Sequence, residues 1–277
     1  MTVREIMGNK KMRRNHDAIS VISWITIALL IIPILFILYF GFVIYRNALG
    51  FGDTVMESIE LTVISSAISA FIVFVVFTPL AFNLARNQNN FMETASDIPA
   101  SIPHPIVGIA FLIIGSPITP FGRFLSSIGI NFFDSIQGLI VALSFISAPV
   151  YIRSAQSVFS SLNRYHEMFG YSLGVSRIRI LYSVVIPGSI KDLASATLTS
   201  MSRAMSEFGS IAILAYYILQ GPFKGVEPAS VLIYQYYGYY GPGVAVTAAA
   251  LMIVVSMIIL GATRLLKSGI IKRRKTG

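Results

Sequence analysis

Apolar residues in this chain come in long blocks separated by short polar stretches. Each block is near the ~20 residues a helix needs to cross the hydrocarbon of a bilayer. Read this way, the sequence predicts about six spans, at Ser20–Tyr45, Ser58–Leu84, Ile98–Ile114, Gln137–Ser157, Asp192–Tyr217 and Gly243–Leu266. The second is rich in small residues, and Pro79 near its end predicts a kink. The third opens with Pro99, Pro103, His104, Pro105 and Gly108 in close succession. Proline removes a backbone donor and crowds the preceding turn, so this stretch is no ordinary lipid-facing helix. Two readings fit: an irregular start to the third span sheltered by protein, or a loop that ends at the membrane. The fifth block is polar. Arg203 and Glu207 sit inside it, with Ser195, Thr199, Ser202, Ser206 and Ser210 on an adjacent stripe. Either charge alone would cost ~2.5–3.5 kcal/mol at the bilayer centre. Four residues apart on a helix, they share one face and neutralise each other. Such a helix faces other helices or an aqueous path, so the pair reads equally as interhelical glue or as path lining.

Composition agrees with the pattern. The 277 residues are 55% hydrophobic and only 12% charged, with a mean hydropathy of +0.74. A soluble domain carries about 25% charged residues, so the fold class is an all-α, multi-pass membrane protein. The net charge of +9 is explained by its placement rather than by nucleic acid. Arg4, Lys10, Lys11, Arg13 and Arg14 precede the first span, and Arg86 follows the second. Arg153, Arg164, Arg177, Arg179 and Lys191 lie between the fourth and fifth. Arg264, Lys267, Lys272, Arg273, Arg274 and Lys275 close the chain. The opposite side holds Arg46, Arg123 and Lys224. That bias puts both tails and residues 158–191 in the cytoplasm. The tails set topology and meet lipid headgroups. The first apolar run is longer than the about 7–15 residues of a signal-peptide core, so it is expected to remain as a span. The chain has no cysteine, which excludes disulfides, thiol catalysis and thiolate metal sites. Tyr234, Tyr236, Tyr237, Tyr239 and Tyr240, in the connection 218–242, are expected to mark the membrane–water interface. No internal repeat is visible, so a pore is expected to need a second copy. The chain is taken as residues 1–57 (basic tail and first span), 58–266 (transmembrane domain) and 267–277 (basic tail).

The polar loop 160–187 is long and patterned. Gly174 is followed by nine residues and then Val184-Val185-Ile186-Pro187. This resembles the cytoplasmic "EAA" loop of ABC-importer permeases, Glu-Ala-Ala, three residues, Gly, nine residues, Ile-x-Leu-Pro. The Glu-Ala-Ala positions fall on Met168, Phe169 and Gly170, and Glu167 lies one residue early. The run Arg203, Glu207, Phe208, Gly209 is similar to one in molybdate, tungstate and sulfate permeases. Ile-Pro-His-Pro-Ile-Val-Gly at 102–108, Phe145–Ala155 and Ala215-Tyr216-Tyr217 look like the archaeal tungstate/molybdate group. The likeness covers about residues 58 to 266.

What the resemblance implies is a type I ABC-importer permease bundle that carries an oxyanion, tungstate or molybdate, by alternating access in a prokaryotic plasma membrane. Sulfate is the alternative cargo. The implied partners are a second permease copy forming a homodimer, two ABC ATPase subunits that bind ATP and Mg, and an extracytoplasmic oxyanion-binding protein. The coupling loop would work through Glu167, Gly170, Gly174, Arg177, Arg179, Ile186 and Pro187. It would form two short helices, with Gly174 in the tight turn and Pro187 ending the second. The candidate path residues are Thr199, Arg203, Ser206, Glu207 and Gly209, and Pro103, His104 and Gly108 form the start of the third span.

Other chemistries lack a full constellation. Gly170-Tyr171-Ser172-Leu173-Gly174 fits the nucleophile-elbow pattern, but no His follows residue 166. His166-Glu167 begins a zinc motif that Gly170 leaves incomplete. His104 reads first as a packed, hydrogen-bonding residue. No phosphate-binding G-x-x-x-x-G-K-[ST] occurs, so no nucleotide cofactor is expected in this chain. An ATP-independent transporter and an integral membrane enzyme remain as other classes, and ATPase co-purification separates them.

Overall fold

The computed structural model describes residues 18–46, 52–87 and 89–274. Arg4, Lys10, Lys11, Arg13, Arg14 and Lys275 of the two basic tails lie outside the described residues. The described chain is helical. α1 (Ala18–Tyr39) continues into a π turn, Phe40–Ile44. α2 is a single helix, Gly52–Arg86, that runs through Pro79. α3 (Asn90–Ser101) and α4 (His104–Gly115) are followed by α5 (Pro120–Ser127) and α6 (Ile136–Ser161). α7 (Tyr165–Ser172), α8 (Arg177–Ile180) and α9 (Ile186–Met205) come next. α10 (Ile211–Leu214), α11 (Ala229–Tyr240) and α12 (Pro242–Arg274) complete the order.

Four of these helices are long and apolar enough to cross a membrane: Ile19–Ile44, Gly52–Arg86, Ile136–Ser161 and Pro242–Ala262. α3 and α4 make a fifth span if taken together, but they are bent 99° at Ile102–Pro103. The reason is local. Proline disfavours helical backbone in the residue before it, and Ile102, before Pro103, is extended; Pro103 itself, at φ −54° and ψ 124°, is non-helical as well. This is the irregular start expected for the third span. The predicted fifth span, Asp192–Tyr217, is corrected. Its helix starts earlier, at Ile186, and stops at Met205. Lys191, Asp192 and the serines make it too polar to count among the apolar spans.

α2 and α6 form the most extensive helix pair and carry α9 against them. One core joins Val73, Phe82, Tyr151, Phe159, Ile180 and Leu193 near the ends of α2 and α6. A second joins Leu61, Leu139, Leu143, Ile211, Leu214 and Ile218 nearer their starts. Between helices the contacts use hydroxyls: Ser69 donates to the Ile140 carbonyl at 3.1 Å, and Thr62 accepts from the Ala229 amide at 2.8 Å. α1 is nearly bare on every side, and the buried position is Gly41 in the π turn that follows it. There a Cβ would lie 2.6 Å from Ala250 Cβ of α12, so glycine sets the closeness of that crossing. The connection 218–242 is not merely a loop. It contains α11, which exposes Tyr234, Tyr237, Tyr239 and Tyr240 and buries Tyr236.

Candidate functional site

The loop 160–187 folds as a hairpin. α7 ends in a Schellman turn: the Val175 amide donates to the Gly170 carbonyl at 3.1 Å, and the Gly174 amide to Tyr171 at 3.0 Å. Gly174 has φ +75°, the left-handed conformation expected of it. Gly170 has a different task. A Cβ there would sit 2.9 Å from Ile180 Cδ1, so its absence lets α7 lie on α8.

The second short helix does not end at Pro187. Residues 177–205 form one continuous helical run, α8, a π turn at Leu181–Val185, then α9. The Ile186 amide bonds back to Leu181, five residues earlier. The extra residue of the π turn gives Pro187 room in the first turn of α9, where its missing donor costs little. Ile186 itself is half-buried against the α2–α6 core.

Glu167, the one acid of the hairpin, points inward. Its carboxylate takes a two-pronged bond from Arg86, with Nε to Oε2 at 2.9 Å and Nη2 to Oε1 at 2.5 Å. The side chains are only 7% and 5% exposed. Arg86 Nη1 also donates to the Phe159 carbonyl at 2.7 Å. The guanidiniums of Arg86 and Arg177 each lie 5.3 Å from the centre of the Phe82 ring. Arg179 is exposed. So are Tyr165, Met168, Phe169, Leu173 and Ile178, which give the hairpin an apolar outer face.

The path candidates converge with the third-span residues at a second place. α9 stops at Met205, and the chain turns through Ser206–Ser210 before α10. Glu207 closes that turn from within. Its Oε1 accepts the Ser210 amide at 2.9 Å and the Ser210 hydroxyl at 3.0 Å, as a capping residue does three positions ahead. Its Oε2 lies 2.8 Å from His104 Nδ1 and 3.4 Å from Arg203 Nη2. Ser230 of α11 donates to the Glu207 carbonyl at 2.7 Å. Arg203 Nη2 is also 3.0 Å from His104 Nε2. The same Nη2 is 3.3 Å from His104 Nδ1, so the guanidinium lies across the imidazole rather than on the line of one nitrogen, and a proton on Nδ1 serves Glu207. Glu207 is fully enclosed, whereas His104 and Arg203 keep 29% and 27% exposure.

Two glycines let the breaks in α3–α4 and α9–α10 cross. A Cβ on Gly108 would lie 2.5 Å from the Ser210 carbonyl oxygen, and one on Gly209 3.0 Å from His104 Cβ. Pro103 leads into α4 from non-helical backbone. Ser206 donates to the Arg203 carbonyl, and Thr199 to that of Ser195. On the packed helices α2, α6 and α9, the hydroxyls of Ser66, Ser144, Ser147 and Ser195 are buried without a partner among the described residues. Among the described residues no cluster of three or more His, Asp and Glu is placed to hold a metal ion.

Sequence reasoning missed three partners. Arg86 lies 81 positions from Glu167, and His104 lies 99 from Arg203. Arg153 of α6 clasps Asp97 and Glu93 of α3, with Gln156 completing the network. Only their unusual placement in or beside apolar blocks signalled that each needs a counter-charge.

Taken together, fold and site describe a multi-pass helical membrane protein with an exposed helical hairpin and a polar hub between two broken helices. Residues 78–272 match the model of the family described as "Binding-protein-dependent transport system inner membrane component". The chain belongs to this family, the permeases of ABC importers. It is 29% identical over 208 residues to the molybdate/tungstate transport system permease protein WtpB of Pyrococcus furiosus, covering 74% of this chain and 75% of that one. It is 31% identical over 206 residues to the protein of the same name in Thermococcus kodakarensis, covering 73% and 75%. A probable sulfate transport system permease protein, cysT, of Zygnema circumcarinatum is 30% identical over 209 residues, covering 74% and 71%. Among solved structures, an inward-facing structure of the MetNI methionine ABC transporter matches with TM-score 0.54 at 19% identity, covering 78% of this chain and 94% of that one. At that identity the likeness concerns the fold alone.

Proposed function

We propose that this chain is one of two identical permease subunits of an importer that carries a tetrahedral oxyanion, molybdate or tungstate, inward by alternating access. ATP would be bound and hydrolysed by two separate ATPase subunits, and the anion delivered by an extracytoplasmic binding protein. The observation that carries this reading is the hairpin Tyr165–Ile180. It is braced from inside by a buried ion pair while its outer face exposes Met168, Phe169, Leu173 and Ile178. An apolar patch of that kind marks a surface another protein covers. The same subunit carries Arg203, a quarter exposed and held beside His104, which suits a site or gate for an anion.

The charge bias supports a cytoplasmic hairpin and cytoplasmic tails in contact with anionic lipid, and the family likeness supports a prokaryotic plasma membrane. Sulfate is the second reading, favoured by the identity to the sulfate permease relative. The deciding experiment reconstitutes permease, ATPase and binding protein in vesicles and measures uptake of molybdate, tungstate and sulfate. ATP-dependent uptake that prefers the two larger anions is expected. Uptake without the ATPase would sink the reading in favour of an ATP-independent transporter. A cysteine introduced at Ser176, in a chain with none of its own, should react with an impermeant reagent only after lysis. Labelling on intact cells would overturn the topology.

A further inference from the structure

We infer that Arg86 is a positioning residue that fuses the coupling hairpin to the end of α2, so that the two move as one body during transport. This rests on the reading of the hairpin as the ATPase-docking element. The geometry is specific. The guanidinium of Arg86, the last residue of α2, donates to the Phe159 carbonyl near the end of α6 and grips Glu167 of α7 with two bonds. Three elements therefore meet on one side chain. Both charges are nearly enclosed, and separating them would leave each buried without its counter-charge. The clasp is thus not one that opens and closes cheaply with each cycle. Arg177 and Arg86 share the Phe82 ring, which binds the α8 side of the hairpin to the same end of α2.

A docking helix held only by its own loop ends would yield when an ATPase pulled on it. Held by Arg86, it passes displacement directly to α2, whose far end borders α11 through Thr62 and Ala229. Glu167 accordingly faces its own chain and not the ATPase.

The test uses the whole complex of permease, ATPase and binding protein in vesicles. Because the chain has no cysteine, spin labels can be placed by cysteine substitution at the exposed positions Leu173, Val76 and Met257. Between nucleotide-free and ATP-trapped states, the Leu173–Val76 distance should stay constant while Leu173–Met257 changes. A change in Leu173–Val76 as large as that in Leu173–Met257 overturns the inference. If neither distance answers to ATP and the ATPase does not co-purify, the docking reading itself has failed, and the inference with it. A second arm replaces the clasp by an apolar pair, Arg86→Met with Glu167→Leu. The complex should assemble, while hydrolysis stimulated by the binding protein, and uptake, fall at least about fivefold. Normal stimulated hydrolysis in that variant would reduce Arg86 to a folding role.

Discussion

Two arginine–glutamate pairs, one before α9 in the sequence and one at its C-terminal end, are built differently. In Arg86–Glu167 both partners are enclosed, the bonds are short and doubled, and every prong has a target. In Arg203–Glu207 only the acid is enclosed. The arginine sits 3.4 Å away, a quarter exposed, and shares its acceptor with His104. The first pair closes on itself. The second spends its carboxylate on four donors and leaves the cation facing outward. The same two residue types thus make a brace in one place and, in the other, a presented positive charge whose position is held by others.

That contrast is sharpest in stability. Removing one partner of a buried pair costs about 3–5 kcal/mol because the other charge is left unpaired. Arg86→Leu and Glu167→Leu should each lose that much, and about equally. At the hub the losses should be unequal. Glu207→Gln should fall in the same range, since the enclosed carboxylate holds Ser210, His104 and Arg203 at once. Arg203→Gln should cost about 1 kcal/mol or less, because solvent reaches the arginine and Glu207 keeps its other donors. Thermal melting of the detergent-solubilised complex, run as double-mutant cycles, reads all four. Equal losses for Arg203→Gln and Glu207→Gln would erase the distinction.

Transport sharpens the same comparison. Arg203→Gln is expected to fold well and to take up little oxyanion. Arg203→Gln with Glu207→Gln should take up as little oxyanion as Arg203→Gln alone. Full uptake in the double variant would make the hub interhelical glue and remove Arg203 from the path.

How much of this was legible before folding depends on the range of the interaction. Gly174 was readable because a left-handed turn has a one-residue signature. The Arg203–Glu207 contact was readable from four-residue spacing, although the helix that motivated it ends two residues before Glu207. What rescues the contact is the capping of Ser210, a use of Glu207 that periodicity does not announce. The end of α9 was hidden for the same reason: apolar Ile211–Leu214 continues the hydrophobic pattern past the break. Pro187 misled in the opposite direction. It reads as a terminator, yet the π turn before it absorbs the strain and the helix continues. His104 and Arg86 were out of reach, since their partners come from other helices.

Glycines at the two regions give smaller effects. Gly108→Ala should cost about 1–3 kcal/mol, because a Cβ would meet a carbonyl oxygen of the crossing chain rather than a movable side chain. Gly174→Ala should cost about 1–2 kcal/mol through its backbone alone, since nothing lies near a Cβ there. Gly170→Ala should cost less than either, as only the tip of Ile180 must move. Melting temperatures should fall in that order. A neutral Gly108→Ala would show that the two broken helices are not held close.

A third acid completes the comparison with the smallest effect. Asp134, in the loop before α6, accepts the Tyr217 amide but has no ion pair among the described residues. Burial pushes its carboxyl above the ordinary aspartate range, and backbone hydrogen bonds from Tyr217 and Tyr216 pull the other way. A raised acid binds its proton more tightly in the folded state than in the unfolded one. Its contribution is therefore fully present below the ordinary aspartate pKa and is lost as pH rises through the folded value. Asp134→Asn should be slightly more stable than the natural chain at neutral pH, by about 0.5 kcal/mol or less. Asparagine tolerates the positive φ of 43° at this position and still accepts from Tyr217. The difference between the two proteins should shrink as pH is lowered toward the ordinary aspartate range, where the natural side chain becomes neutral as well. Comparing the two melting curves across pH removes the contributions of every other acid. A difference that stays constant, or grows in acid, would mean that Asp134 is compensated as Glu167 and Glu207 are.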